Sequence, residues 1–225
     1  MAKSKQGVCV CCGQVAELTE DHVIPQCLFP NGIPSDAPKV WACEPCNGIV
    51  KSRLDQYFRD LLVTDMHSSQ SPVAQQLFAK FSRSVVRNQS KLARDMLQKA
   101  QLVELRTEGG LYAGEAYTTQ EATAKTQEIM AMYVRGLYAF YIHNTLPHDT
   151  DFEFFRAGKS EKLNDSIGFL NENGGSYGRI GDGDIFECVF GHAADVPEAG
   201  IWILNFFRRA LFVVVATPKN LAKSA

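Results

Sequence analysis

The sequence has little that would direct it into a membrane or along a secretory route. Hydrophobic residues make up 45% of its 225 residues, yet none of its apolar runs approaches the length that crosses a bilayer. The lysines near the N-terminus are not followed by an apolar stretch, so we predict no secretory signal. Internal repeats and low-complexity segments are lacking too. We expect a cytoplasmic globular protein that binds no membrane.

An excess of positive charge is also lacking. The chain carries 23 Lys and Arg residues against 25 Asp and Glu residues, which gives a formal net charge of −2. Compact DNA-binding domains often have a strong basic excess. Any nucleic-acid site on this chain must therefore be a local patch of the surface.

Cysteine is scarce except near the N-terminus, where six of the seven cysteines lie within the first 46 residues. In a reducing compartment, such a cluster is more typical of metal ligands than of disulfides. Two C-x2-C pairs are present, and residues 13–42 separate them. Two such pairs can supply four thiolates to one tetrahedral zinc ion. We predict a structural Zn²⁺ on Cys9, Cys12, Cys43 and Cys46.

Three cysteines fall outside this prediction. Cys11 lies inside the first pair and could compete for the metal. Cys27 and Cys188 are isolated, and we expect packed thiols at both positions. The alternative for the whole set is a group of buried or redox-active cysteines.

Residues of another kind lie between and beside the two cysteine pairs. Asp21 and His22 are followed by Pro25, and Asn47 comes directly after the second pair. This order resembles that of the HNH nuclease family, including the HNH domain of RNA-guided CRISPR nucleases. The family's pattern joins a cysteine knuckle, an acid–histidine pair with a proline three residues later, a middle Asn, and a second knuckle followed by His or Asn. The resemblance spans residues 8–60.

The resemblance implies a ββα-metal fold in which zinc clamps a hairpin to a helix. Asp21 and His22 would lie on the hairpin, and Asn47 in the first turn of the helix. One position departs from the pattern, since Pro38 stands where the family has its middle Asn. In the family, this Asn fixes the loop that orients the catalytic histidine. The candidates to replace it here are Asp36, Lys39 and the prolines at 34 and 38.

The residue types themselves also suit phosphodiester hydrolysis. Imidazole titrates near pH 6.5, so His22 could take a proton from the attacking water as general base. Asp21 and the amide oxygen of Asn47 are hard ligands for a catalytic Mg²⁺ or Mn²⁺ ion at the scissile phosphate. Lys51, one helical turn after Asn47, could contact phosphate. Taken singly, these residues could instead be a structural histidine, a chance Asp-His pair and a helix cap.

A basic stripe is predicted on a helix that begins at Pro72. Residues spaced three or four apart fall on one face of this helix. They are Lys80, Arg83, Arg87, Lys91 and Arg94. Such a face could follow a phosphate backbone independently of base sequence, and Arg53 on the preceding helix would add another contact. The alternative is a solvated face, and a break at residues 88–90 would interrupt the stripe.

The predicted fold class is α+β in two parts. Residues 1–65 would form the zinc-stapled ββα-metal module, and residues 66–225 a larger helix-then-sheet domain. Helical periodicity covers residues 47–62 and 72–100, and a capping box at Thr118 opens a third helix that ends near Asn144. A hairpin is expected between 103–107 and 111–117, and strands over 184–190, 201–207 and 210–216. The second domain could bind DNA, form a homodimer or bind a partner protein.

These patterns together predict an HNH endonuclease that hydrolyses phosphodiester bonds in DNA with one catalytic metal ion. The first alternative is a non-catalytic zinc-stapled module that only binds nucleic acid, which the Pro38 departure leaves open. The second alternative is an interaction protein of a mobile element or defence system, of bacterial or phage origin.

Overall fold

The computed structural model describes residues 4–65, 68–88, 98, 100–106, 109–119, 123–156 and 161–219. Over these residues the chain is a mixed α and β protein with four α-helices and three antiparallel sheets. The sheets have three, five and two strands. No helix in the described ranges is long and apolar enough to cross a membrane.

The three-stranded sheet carries the residues between the two cysteine pairs. Its strands lie in the order β1-β2-β3 and span Ser4–Val8, Val15–His22 and Lys39–Cys43. In the register of β2 and β3, Leu18 pairs with Cys43 and His22 pairs with Lys39. The cysteines therefore lie at one end of the β2–β3 pair, and Asp21 and His22 lie at the other.

The helix expected over residues 47–62 is present in two pieces. A wide helical turn, Cys46–Val50, leads into helix α1, Lys51–Thr64. Gly48 lies inside this turn and distorts it, because its backbone angles, φ −91° and ψ −123°, are not helical. The turn keeps Asn47 next to β2 while α1 runs on into the core.

Helix α2 and the hairpin that follows it agree with the sequence pattern where they are described. Helix α2 spans Pro72–Asn88, and its first residue is the predicted one. The continuation expected beyond Asn88 falls largely on residues 89–97, which lie outside the described residues, as does residue 99. Strand β4, Ala100–Arg106, pairs with β5, Tyr112–Thr119, in the predicted hairpin.

The remaining elements are helix α3 and a five-stranded sheet with one further helix. Helix α3 spans Thr123–Ile142. It begins later than expected because Thr118, the predicted cap, pairs with Gln101 in the hairpin. The sheet order is β6-β10-β9-β8-β7. Its elements in chain order are β6 Asp151–Arg156, α4 Glu161–Glu172, β7 Ser176–Ile180, β8 Phe186–Ala193, β9 Val196–Phe206 and β10 Ala210–Thr217.

One hydrophobic core joins α1 to α3 and to the five-stranded sheet. The ring of Phe58 lies 5.6 Å from that of Tyr133, 4.9 Å from Phe206 and 5.6 Å from Phe212. Side chains from both sides of residue 65 therefore share the same apolar interior. The division of the chain into two domains at that residue stays a prediction.

Candidate metal centre and candidate active site

The structure brings the four cysteines of the two C-x2-C pairs together. The sulfur atoms of Cys9, Cys12, Cys43 and Cys46 all lie within 4.8 Å of one another. Two come from the turn between β1 and β2, and two from the end of β3 and the turn after it. Four thiolates at this separation could hold a zinc ion. Cys11 is not a member of the group.

The chemistry of this cluster favours a bound cation. Burial is the main factor that raises the pKa of the Cys43 and Cys46 thiols above the usual value. Four adjacent thiolates would repel one another unless a positive charge lay between them. A zinc ion could supply that charge and would tie β1, β2 and β3 to the start of the helical turn.

The loop that carries His148 covers the turn between β1 and β2, which holds Cys9 and Cys12. Gly13 has φ +67°, and a Cβ atom there would collide with the ring of His148. Arg135 of α3 fixes the loop that carries His148 by donating to three carbonyl oxygens. These are the oxygens of Leu146, Pro147 and His148, at 3.2, 2.9 and 3.0 Å. Through this loop, Arg135 supports the cysteine turn of the candidate metal centre.

A solvent-open pocket lies at the other end of the β2–β3 pair. Its volume is about 220 Å³, and its lining includes Asp21, His22, Gln26, Asn47, Lys51 and Asp55. The sequence predicted four of these as site residues: Asp21, His22, Asn47 and Lys51. They come from the end of β2, the helical turn and α1, and the structure places them around one space.

His22 is the last residue of β2, and its ring is half-buried. Its Nδ1 atom lies 2.9 Å from Nε2 of Gln26, four residues later. Burial, together with the positive charges of Lys39 and Lys51, lowers the pKa of His22 below its usual value of 6.5. The imidazole is therefore neutral at neutral pH, which is the form that can accept a proton.

Asn47 lies in the helical turn and is tied to β2 through its side chain. Its Nδ2 donates to Thr19 Oγ1 at 2.9 Å and to the carbonyl oxygen of Glu20 at 3.3 Å. A carbonyl only accepts hydrogen bonds, so the nitrogen must face β2. Among the described residues the amide oxygen has no hydrogen-bond partner, which leaves it free to bind a cation.

Lys51 lines the pocket, although the residue is only 6% exposed. Its contact with phosphate stays a prediction. Its Nζ donates to Asp21 Oδ1 at 2.8 Å and to the carbonyl oxygen of His22 at 2.7 Å. The buried carboxylate of Asp21 holds Lys51 inward, because an unpaired buried charge is costly.

Asp55 is a site residue that the sequence reasoning missed. Its Oδ2 lies 3.6 Å from Lys51 Nζ, and its Oδ1 lies 3.4 Å from the hydroxyl of Tyr133. Burial raises its pKa to about 6, although the charge of Lys51 opposes that shift. The four-residue spacing from Lys51 on a helix was the signal that could have identified it.

The predicted nucleic-acid contacts outside the pocket are only partly described. Arg53 is exposed on α1, and Lys80 and Arg83 are exposed on α2. Lys80 Nζ donates to the carbonyl oxygen of Pro30 at 2.7 Å. Arg87 belongs to α2, whereas Lys91 and Arg94 lie outside the described residues.

Comparisons with protein-family models, curated proteins and solved structures gave no significant match to this chain. Within the described ranges, the four cysteines are the only group of three or more His, Cys, Asp or Glu side chains close enough to hold a metal. A catalytic Mg²⁺ or Mn²⁺ would have two protein oxygens, from Asp21 and Asn47. Such a set fits these ions, which keep several waters in open sites.

Proposed function

We propose that this chain is a metal-dependent endonuclease of the HNH type that hydrolyses phosphodiester bonds in DNA. The observation that supports this function is the convergence of Asp21, His22 and Asn47 on one open pocket beside the four-cysteine cluster. Strands β2 and β3, the helical turn and α1 would then form a ββα-metal module, with zinc as its structural ion. The basic residues Arg53, Lys80, Arg83, Arg87 and Lys91 would contact phosphates outside the pocket.

His22 acts as the general base in this proposal. Its neutral ring accepts a proton from water at Nε2, while the side chain of Gln26 forms a hydrogen bond with Nδ1. The amide of Gln26 can present its oxygen to Nδ1 by a half-turn of the terminal group. The proton of His22 then lies on Nδ1, and the lone pair of Nε2 is free to accept a proton.

In this proposal, Asp21 and Asn47 bind the catalytic metal ion, and neighbouring residues hold them in position. A Mg²⁺ or Mn²⁺ ion held by Asp21 and the free amide oxygen of Asn47 would supply Lewis-acid stabilisation of the phosphate's developing charge. The hydrogen bonds of Asn47 to Thr19 and Glu20 keep that oxygen at the pocket wall. Lys51 and Asp55 form the charged base of the pocket.

A second candidate function is a zinc-stapled module that binds nucleic acid without cleaving it. The ion pair between Lys51 and Asp21 favours this candidate, because it occupies a carboxylate that a catalytic metal needs. Salt-sensitive DNA binding without Mg²⁺-dependent cleavage would support it.

Nicking of supercoiled plasmid with Mg²⁺ or Mn²⁺ tests the proposed function. His22→Ala should lower the cleavage rate by about 10²–10⁴-fold, the usual effect of losing a general base, and leave DNA affinity unchanged. His143→Asn is the matched control, since His143 is exposed outside the pocket and Asn tolerates its φ of 57°. Cleavage by His22→Ala at the wild-type rate would exclude this nuclease centre.

A further inference from the structure

The ammonium group of Lys51 lies in a cage of oxygen atoms at the base of the pocket. It is 2.8 Å from Asp21 Oδ1, 2.7 Å from the carbonyl oxygen of His22 and 3.6 Å from Asp55 Oδ2. Only 7% of its side chain is exposed. Carboxylate and carbonyl oxygens are also the ligands that hard divalent cations prefer. The ammonium of Lys51 thus occupies a position whose oxygen ligands would also suit a divalent metal ion.

The two carboxylates hold Lys51 unequally. Asp21 accepts a short hydrogen bond, whereas Asp55 stands at the longer distance of an ion pair. Lys51 and Asp55 are one turn apart on α1, so the flexible lysine stem can bring the ammonium to either carboxylate. The hydroxyl of Tyr133 contacts the far oxygen of Asp55. Asp55 is therefore a second partner, already in place, for the ammonium.

We propose that Lys51 and a divalent cation compete for Asp21, and that Asp55 receives the ammonium when the cation binds. This inference rests on the catalytic ion of the proposed function. Without that ion, Lys51 neutralises Asp21, which would otherwise be a buried charge lacking a partner. When Asp21 binds the cation, repulsion drives the ammonium towards Asp55. Lys51 therefore keeps the empty site stable and lowers its affinity for metal.

Mn²⁺ binding to the zinc-loaded chain, measured by electron paramagnetic resonance, tests this competition. Lys51→Met should bind Mn²⁺ at least about tenfold more tightly, because the competing charge in the cage is gone. Asp55→Asn should bind it more weakly than wild type, because the displaced ammonium loses its second partner. Arg53→Met removes an exposed charge from the same helix and should match wild type. Equal or weaker binding by Lys51→Met would overturn the proposal.

A second measurement uses the wild-type chain, because Lys51→Met leaves two buried carboxylates and could fold poorly. The ¹⁵N signal of the buried Lys51 ammonium reports its hydrogen-bond partner. Titration with Mg²⁺ should shift this signal with the same midpoint as metal binding. A Lys51 signal that stays in place while Mg²⁺ binds would also overturn the competition.

The outcomes separate this inference from the nuclease proposal. If wild type nicks plasmid but binds Mn²⁺ as Lys51→Met does, the nuclease stands and the competition falls. If Lys51→Met binds Mn²⁺ more tightly but wild type cleaves no DNA, the competition stands and the nuclease falls. If neither chain binds Mn²⁺, the competition is overturned.

Discussion

At the scale of single residues, the orientation of His22 depends on one side chain and one backbone contact. Gln26 meets Nδ1 of the ring, and the next amide, that of Val23, donates to the carbonyl oxygen of Pro38 at 2.9 Å. Asp36, a candidate for the orienting role, instead accepts hydrogen bonds from the amide of Gly181 at 3.0 and 3.2 Å. Among the described residues, the side-chain contact to the imidazole therefore comes from Gln26.

If His22 is the general base, Gln26→Ala should lower the rate of DNA cleavage by up to about 100-fold, because the imidazole loses its fixed orientation. Gln26→Glu should retain more activity, since a carboxylate accepts a hydrogen bond from Nδ1. DNA affinity, measured by fluorescence anisotropy, should be the same in all three chains. Gln75→Ala, an exposed glutamine on α2, is the control. A Gln26→Ala chain that cleaves at the wild-type rate would exclude the orienting role.

Local spacing was sufficient to find most of the candidate site. The four cysteines could be predicted because each pair is a short motif with one established use, and Asp21, His22 and Asn47 because they lie beside those pairs. The inward turn of Lys51 could not be predicted. It depends on Asp55 and on the buried carboxylate of Asp21, which come from different elements and meet Lys51 only in the folded chain.

At the scale of elements, helix α3 packs directly behind the candidate active-site pocket. A Cβ atom on Gly136 would lie 2.7 Å from Cγ1 of Val23, the residue after His22. One turn earlier, the hydroxyl of Tyr133 contacts Asp55 at the base of the pocket. The close approach of α3 to the end of β2 therefore requires glycine at position 136.

Gly136→Ala should destabilise the chain by about 1–3 kcal/mol, the usual effect of overpacking, and should lower cleavage because Val23 moves with His22. Gly168→Ala is the matched control on α4, where an added Cβ meets nothing within 4 Å. This second change should stabilise by roughly 0.5–1 kcal/mol through its better helix propensity. Urea unfolding measures both values. Equal changes in the free energy of unfolding for the two substitutions would contradict the close contact between Gly136 and Val23.

The cysteine turns give a further prediction at this scale. Cys43→Ser should lose the bound zinc and unfold the three-stranded sheet, since a structural zinc contributes on the order of 10 kcal/mol to the folding of a small module. Cys11→Ser should keep one zinc per chain, because Cys11 is outside the four-sulfur group. Elemental analysis of both purified variants measures the zinc content. Retention of zinc by Cys43→Ser would reject the ligand assignment.

Elements with strong local signals could be predicted, and elements without them could not. The start of α2, the β4–β5 hairpin and the strands β8 to β10 follow from capping, turn and alternation patterns. Helix α4 was missed, because only strands were predicted beyond the helix that ends near Asn144. Its apolar positions have helical spacing, but Asn164, Asp165 and Gly168 are weak helix formers. Packing against the five-stranded sheet compensates for that weakness.

At the scale of the whole molecule, an ion pair links the end of α1 to the five-stranded sheet. Asp65 follows α1, and its Oδ1 lies 2.8 Å from a guanidinium nitrogen of Arg156 in β6. Its other oxygen accepts a hydrogen bond from the amide of Ser68 at 2.9 Å. Asp65 is only 11% exposed in this pair. The contact thus reinforces the shared core at the boundary predicted between residues 1–65 and 66–225.

Asp65→Asn should lower the free energy of unfolding at pH 7 by about 1–3 kcal/mol, because hydrogen bonds to a charged group are lost and Arg156 is left unpaired. Urea unfolding followed by circular dichroism measures the difference. Asp151→Asn is the matched control, since its ion pair with Lys219 is 3.6 Å long and more than half exposed on both sides. An exposed pair contributes little, so this variant should unfold like wild type.

The effect of Asp65 should also depend on pH. Burial alone would raise the pKa of Asp65, but Arg156 and the Ser68 amide outweigh burial and lower it below the usual 3.8. The unfolded chain therefore binds the proton more readily than the folded chain. The stabilisation is complete above pH 3.8 and is lost as the pH falls through the lower, folded pKa. Wild type and Asp65→Asn should converge in acid, and a difference that persists below that pKa would rule out this ion pair as its cause.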